Sequence, residues 1–428
     1  MARDFVILEV TMDFYDRALE LKPELVENRR YLHKHAEVGM RLLMTKAYVM
    51  EKLKEYGLQP KSCGEGVTAV IGNIRGGNSW NPGETDDGEE GQEKEKEKEK
   101  GQVLLLRADM DALPMKEESG LPFACPTGNA AHTCGHDCHT AMLLTAAKML
   151  KECEDEIPGT VKLMFQPAEE TLEGCKHMVR HGILENPKVD AALAYHVGAG
   201  KLPLGIFLYN NTGTMMFSTC MFRLHIKGKG SHGAYPEKAV DPIRIGAQLY
   251  LELQKMIEEE QERGEHCILT LGRFEAGTAP NVIPDTAMLE GSIRADKAVM
   301  QENLVRKIRM VAEECARRFG GSVKLEELSS VPPLICDPKM VEEIVGYMKE
   351  LRIPKSVPMP DIKATASEDF AVIAEQVPSA FIYLSAGFDD ERGEVLAHNP
   401  KVMFNEEVLP VGAAYLAYCA VRWLKEHV

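Results

Sequence analysis

Long apolar runs are missing from this 428-residue chain, and so is any excess of positive charge. No run approaches the ~18 consecutive apolar residues of a membrane-spanning helix. Lys and Arg total 50 against 66 Asp and Glu, a formal net charge of −16. That balance argues against nucleic acid or an anionic membrane surface as a partner. The opening MARDFVILEVTMDFYDRALE carries acids through its first apolar stretch and fits no signal peptide, so a cytoplasmic location is expected. Two nucleotide signatures are also absent. GKGSHG lacks the spacing of a phosphate-binding loop, and no G-x-G-x-x-G follows the early strands. What remains is 44% hydrophobic and 27% charged, an ordinary globular composition long enough for two or more domains. The eleven cysteines, an odd number, are expected as free thiols in a reducing compartment, most of them buried as small apolar residues.

One stretch departs from that composition. Residues 76–101 hold almost no apolar side chains, and residues 84–100 hold nine acids and four lysines. Such a segment has nothing to pack with and is expected to be a mobile, solvated acidic insertion between two strands.

The rest reads as an α/β chain interrupted by a second unit. Helices are expected from about Asp13 to Leu53 and a strand over 66–74. QVLLLRADMDALP, VKLMFQPAEE and DAALAYHVG carry short apolar runs of the kind buried parallel strands need, with a buried helix over His139–Cys153 between them. From 215 to 328 the order becomes β-α-β-β-α-β, a ferredoxin-like split unit inserted whole. α/β character then returns, with helices near 337–351 and over SEDFAVIAEQ, a strand SAFIYLSAG, and a last helix kinked or restarted at Pro410.

The densest chemical signal is HTCGHDCHT, residues 132–140. Thiolate and imidazole are good ligands for zinc and related metals. A structural zinc site would want a second C-x-x-C or H-x-x-H pair, and none exists. Other candidates stand at strand ends, where α/β sheets place their sites. Glu169 and Glu170 close one strand and diverge on an extended backbone, so one can bind metal while the other takes a proton. His196 closes another, and Asp109 and Asp111, two apart, can face one cleft. His398 in LAHNP is the further imidazole a two-metal site would require.

The ordered set RRYLHKHAEVG, LLLRADMDALP, HTCGHDCHT, FQPAEE, AYHVG, GKGSHGAYPEKAVDPI, GTAPNVIPDTAMLEGSIRA, SEDF and AHNP resembles the metal-dependent amidohydrolases and carboxypeptidases. That family includes hippurate hydrolases, N-acyl-amino-acid amidohydrolases and indole-acetyl-amino-acid hydrolases. The resemblance runs from Arg29 to the C-terminal helix and omits only the acidic insertion. It implies a discontinuous zinc-peptidase-like catalytic domain, residues 1–212 and 327–428, with a mixed, largely parallel sheet. It also implies a ferredoxin-like α+β lid and dimerisation domain, 213–326. Two divalent ions per subunit (Zn, Mn, Co or Ni) are implied, held by Cys134, His136, Glu170, His196 and His398, with Cys134 as the bridging ligand. Glu169 matches the general acid/base and Asp111 the acid that orients the site. Asp109 stands where another branch has a metal-binding His and is not read as a ligand. His232 matches a residue that reaches the neighbouring subunit's site, and Asn281 and Arg294 match positions near the substrate carboxylate. A homodimer or dimer-based tetramer is implied. The chain departs from the family pattern at Ala36, Leu42 and Ala366, where Pro, an acid and Gly are usual.

The expected reaction is hydrolysis of the amide of a small N-acyl-amino acid or short peptide. A carboxylate beside the attacking water can take its proton and return it to the leaving nitrogen. A metallocarboxypeptidase, an N-acetyl-diamino-acid deacetylase and a catalytically silent metal-binding scaffold are the rival readings. A thiolate at Cys134 would also leave the metal-free protein sensitive to oxidation.

Overall fold

The computed structural model describes residues 12–72 and 101–428. Most of the acidic insertion lies outside the described residues. In chain order the elements are α1 (Phe14–Glu20), α2 (Lys22–Lys34), α3 (Leu43–Glu55), β1 (Lys61–Cys63), β2 (Gly66–Gly72), β3 (Val103–Asp109), α4 (His136–Glu152), β4 (Thr160–Gln166), α5 (Gly174–Arg180), β5 (Ala191–Gly198) and β6 (Phe207–Leu208). Then come β7 (Ser218–Lys227), α6 (Pro242–Glu262), β8 (Cys267–Ala276), β9 (Thr286–Ala295), α7 (Ala298–Arg318) and β10 (Ser322–Val331). The chain closes with α8 (Pro338–Glu350), β11 (Pro358–Met359), α9 (Ala371–Ala374), β12 (Ser379–Ser385) and α10 (Leu409–Glu426).

Two compact units result. The first comprises the chain up to Gly213 with Cys336–Ile362 and Val372–Val428; the second is Thr214–Ile335 with Lys363–Ala371. The boundary expected at 326 falls inside β10, which runs on past a bulge between Glu327 and Ser329 to Val331.

The first unit is built on an eight-stranded mixed sheet in the order β1-β2-β4-β3-β5-β12-β6-β11. Its centre, β4-β3-β5-β12, is parallel, and the flanking β1–β2, β2–β4 and β12–β6 pairs are antiparallel. Every residue of β3 and β4 is buried, as a sheet covered on both faces requires. Those strands include Arg107 and Lys162, so both charges must find partners inside. Lys162 donates to the carbonyls of Glu185 at 2.6 Å and Pro187 at 3.3 Å.

The second unit runs β7-α6-β8-β9-α7-β10, with an antiparallel sheet in the order β8-β9-β7-β10. One face packs Phe222, Leu224, Leu249, Leu253, Leu289 and Leu304, among others, into a core with α6 and α7. Asp241 caps α6 by accepting the N–H groups of Ile243 and Arg244, and Pro242 follows it, a strong helix start.

One expectation changes, and one that left two outcomes open is decided. The helix foreseen over 367–376 shrinks to α9, four residues, because the Glu368 carboxylate accepts the Phe370 N–H at 2.9 Å and holds SEDF in a turn. Pro410 sits in the first turn of α10, where its missing N–H costs nothing, so it starts that helix and does not kink it. None of the eleven cysteines forms a disulfide, and all are buried. Among the described residues no helix is long and apolar enough to cross a membrane.

Candidate metal centre

The central strands end together, and the loops beyond them bring seven of the foreseen residues into one place. β3 ends at Asp109, two residues before Asp111. β4 ends at Gln166, and Ala168, at φ 55°, turns the chain so that Glu169 and Glu170 follow. His196 lies in β5 and pairs in register with Tyr383 of β12. α4 begins at His136, three residues before the foreseen start, so His136 occupies its first turn. Gly135 precedes it at φ 97°, and a Cβ there would stand 2.4 Å from the Val197 side chain, so only glycine fits. His398, also left-handed at φ 64°, is tied by its N–H to the carbonyl of Thr133 at 2.9 Å.

Among the described residues several groups of ligand-type atoms lie close together, and two of them overlap at Cys134. One holds Cys134, His136 and His196; the other holds Cys134, Glu170 and His398, and within each the atoms lie within 4.8 Å of one another. Cys134 belongs to both. Cys134 Sγ stands 3.4 Å from His196 Nε2, and Glu170 Oε1 stands 3.4 Å from His398 Nε2. His136 Nε2 is 3.9 Å from carboxylate oxygens of both Glu169 and Glu170. Ligands ~2.0–2.3 Å from a tetrahedral ion stand roughly 3.3–3.8 Å apart, so the spacing suits coordination.

Hydrogen bonds aim the lone pairs inward. His136 Nδ1 donates to the Asp111 carbonyl at 2.8 Å, and His196 Nδ1 donates to the Val197 carbonyl at 2.7 Å. Each ring therefore presents a bare Nε2. Asp111 accepts the backbone N–H of Glu169 at 3.0 Å through one oxygen and that of Glu170 at 3.2 Å through the other, which orients the two glutamates as a pair. His136 Nε2 and Glu170 Oε1 are buried without any hydrogen-bond partner. Unpaired buried polar atoms are costly, and two facing one point are what a metal would satisfy.

Burial pushes the Cys134 thiol well above its usual range, only partly opposed by His136. Burial pulls His196 well below the usual histidine range, with His139 and His136 adding to it, which suits a neutral ligand. Burial would also lower His136, but Asp109 and Cys134 outweigh it and raise that group. Burial raises Glu170 against the pull of His136 and His398. In the metal-free site burial thus favours the thiol over the thiolate, which weighs against ready oxidation of Cys134. Metal uptake must release the thiol proton.

The remaining foreseen residues lie in the second unit. Ser231–His232 pairs with Val282–Ile283, and the Gly233 N–H donates to the Asn281 carbonyl at 2.8 Å, so His232 and Asn281 are neighbours, both exposed. His232 Nδ1 accepts the Ala234 N–H at 3.0 Å, which leaves the ring proton on Nε2. Arg294 is half-buried and stands apart from that pair in the register, donating to Ser367 Oγ at 2.8 Å and the Thr365 carbonyl at 3.2 Å.

Sequence reasoning passed over a buried ionic layer around the site. Arg107 donates to Asp109 at 2.7 Å and to Gln166 at 2.9 Å, and Asp109 accepts from His139 Nδ1 at 2.5 Å. Arg29 stands 2.7 Å from Asp137, which also meets His33 at 2.8 Å. The signal was present: an arginine inside the apolar run VLLLRAD must be paired where it is buried.

The arrangement is that of a metal-dependent hydrolase. The chain belongs to the peptidase family M20/M25/M40, whose model matches residues 105–422. It is 31% identical to the hippurate hydrolase of Campylobacter jejuni, over 97% of this chain and 100% of that one. It is also 31% identical to an N-acetyl-L-cysteine deacetylase of Bacillus subtilis, over 94% of this chain and 89% of that one. Among solved structures it is similar to a dinuclear metal-binding peptidase of the M20 family from Bacillus subtilis, with a TM-score of 0.74 and 28% identity, covering 96% of this chain and 100% of that one.

Proposed function

We propose that this protein hydrolyses the amide bond of N-acyl-amino acids or short peptides. Cys134, His136, Glu170, His196 and His398 would hold two divalent ions of the Zn, Mn, Co or Ni group. The observation that carries the reading is the pair of clusters sharing Cys134, each of which holds one buried atom, His136 Nε2 or Glu170 Oε1, without a hydrogen-bond partner. When bound, such ions acidify a water and polarise the substrate carbonyl.

Glu169 takes the proton of the attacking water and delivers it to the leaving nitrogen. Asp111 holds Glu169 and Glu170 in register, so that one carboxylate handles the proton while the other binds metal. His232, with its proton on Nε2, donates to the developing oxyanion of the neighbouring subunit's substrate. Asn281, beside it, and Arg294 serve the substrate carboxylate, the latter through charge-assisted hydrogen bonds. The first unit serves as the catalytic domain and the second as a lid and dimerisation domain, so the active unit is at least a dimer. Eleven cysteines without a disulfide suit a reducing cytoplasm.

The test is a panel of N-acetyl, N-benzoyl and dipeptide substrates offered to metal-stripped protein reloaded with Zn, Mn, Co or Ni. Hydrolysis should appear only on reloading; a panel silent with every metal would overturn the reading. Mixing Glu169→Gln with His232→Ala protein should restore up to one working site per heterodimer. If mass measurements show exchange and no activity returns, the shared-site part falls.

A further inference from the structure

His139 is the one ring of HTCGHDCHT that lies against the metal cluster yet has no lone pair to offer it. Its Nδ1 donates to Asp109 at 2.5 Å, and its Nε2 accepts the Val197 N–H at 2.8 Å. A protonated Nε2 would face that N–H donor to donor, so the ring is the neutral Nδ1–H tautomer. Asp109 is equally committed, with one oxygen on His139 and the other on Arg107 at 2.7 Å. Asp109 and His139 lie close enough to His136 to count as a ligand group by distance. Their hydrogen bonds say otherwise, since their ligand atoms are engaged while His136 Nε2 and Glu170 Oε1 have no hydrogen-bond partner.

The reason for this ring lies in the sheet. The β3–β5 ladder ends at Arg107 and Ala194, three residues short of Val197. The Val197 N–H therefore meets a side chain where a strand would otherwise be. The carbonyl of the same Val197 accepts from His196 Nδ1 at 2.7 Å, and the His139 and His196 rings stand 4.5 Å apart between centroids. One buried line thus runs from Gln166 through Arg107, Asp109 and His139 to the Val197 backbone, and from there to the ring that faces Cys134.

We propose that His139 is a positioning residue for the metal centre: clamped by Asp109, it anchors the Val197 N–H and so holds the Val197 carbonyl, in the next peptide unit, that sets the tautomer and direction of His196. The proposal rests on the reading of His196 as a ligand. Partners one step behind a ligand typically change metal affinity 10–100-fold when removed. A space-filling role would be met by any side chain of similar size; this role needs an acceptor opposite the Val197 N–H.

The experiment measures Zn(II) affinity by chelator competition and the Co(II) spectrum, with His139→Ala and His139→Gln each placed on a Glu169→Gln background so that turnover plays no part. Thermal melting of the metal-free proteins serves as the folding control. His139→Ala should bind one of two ions 10–100-fold more weakly and show shifted Co(II) ligand-field bands, with the metal-free melting point near that of His139→Gln. His139→Gln, whose amide oxygen can accept the Val197 N–H, should recover at least part of the loss, and it decides alone if the alanine variant does not fold. Unchanged affinity and spectrum in His139→Gln and His139→Ala would overturn the proposal. So would complete loss of one ion from both variants even at millimolar metal, which would make His139 itself a ligand. Parent protein that binds fewer than two ions would refute the dinuclear reading and this proposal together; two ions bound with unchanged His139 variants would refute this proposal alone.

Discussion

The two sheets of this protein place their polar groups in opposite ways. In the first unit the central strands are buried on both faces, and polar side chains gather at their ends, where some are left without protein partners. In the second unit the sheet covers α6 and α7 with one face only, and the other carries charges that answer one another. Arg223 pairs with Glu290 and Glu326, Arg273 pairs with Glu275 and Glu290, and His225 donates to Glu326 at 2.6 Å. An exposed charge satisfied by a neighbour and by water asks for nothing more. A buried Nε2 and a buried carboxylate oxygen that stand side by side without a hydrogen-bond partner, as His136 and Glu170 do, ask for a ligand. The contrast separates chemistry from solubility more sharply than the density of charged residues does.

The largest effect should come from the glutamate pair. Glu169→Gln should keep metal content near wild type while kcat falls roughly 10²–10⁴-fold, the usual contribution of a general acid/base. Glu170→Gln should lose metal instead. Metal analysis beside steady-state kinetics checks both, and reversed phenotypes would exchange the two roles.

The buried ionic layer behind the site should rank next. Arg29→Met leaves the fully buried Asp137 carboxylate with one partner fewer, at a cost of about 3–5 kcal/mol, measurable by urea unfolding. A loss under about 1 kcal/mol would mean that water reaches Asp137.

Lys162 tests the same principle through pH. Burial pushes its ammonium down to about 8, below its unfolded value. Between that pH and the unfolded value near 10.4 the unfolded chain binds more protons, so stability should rise with pH there. Relative to Lys162→Met, wild type should gain about 3 kcal/mol across that window and nothing below it. Parallel stability curves for the two proteins would sink the idea.

The exposed face should respond least. Arg223→Ala, or Arg223→Ala with Glu290→Ala, should leave the urea midpoint of the second unit nearly unchanged, since surface pairs contribute little. A large shift would show that this face is covered in solution.

Much of the centre was legible from local pattern. VLLL, VKLMF and ALAY are too apolar and too short for anything but buried strands, and the residues that end them mark one edge of a parallel sheet. Cys134 and His136 stand two apart, with a left-handed glycine between them that turns both toward one point. Asp241 before Pro242 and Asp337 before Pro338 announced their helices. The SEDF segment misled because its helical period continues through residues whose side chains cap a turn. The helix start slipped from His136 to His139 because a helix boundary depends on where the chain comes from as much as on what it contains.

By itself the sequence determined which elements exist and which residue types gather at the strand ends, because period, turn chemistry and ligand softness are local properties. The tertiary structure alone decided which atoms of those residues are available. His136, His139 and His196 are the same side chain in neighbouring places. A carbonyl from Asp111 turns one lone pair inward, and a carbonyl from Val197 turns another. A carboxylate and an N–H consume both nitrogens of the third. Those partners lie 25 and 1 residues away for the first two, and 30 and 58 residues away for the third. Apart from the His196–Val197 bond, only the packing of strands and α4 against one another could bring them to their rings.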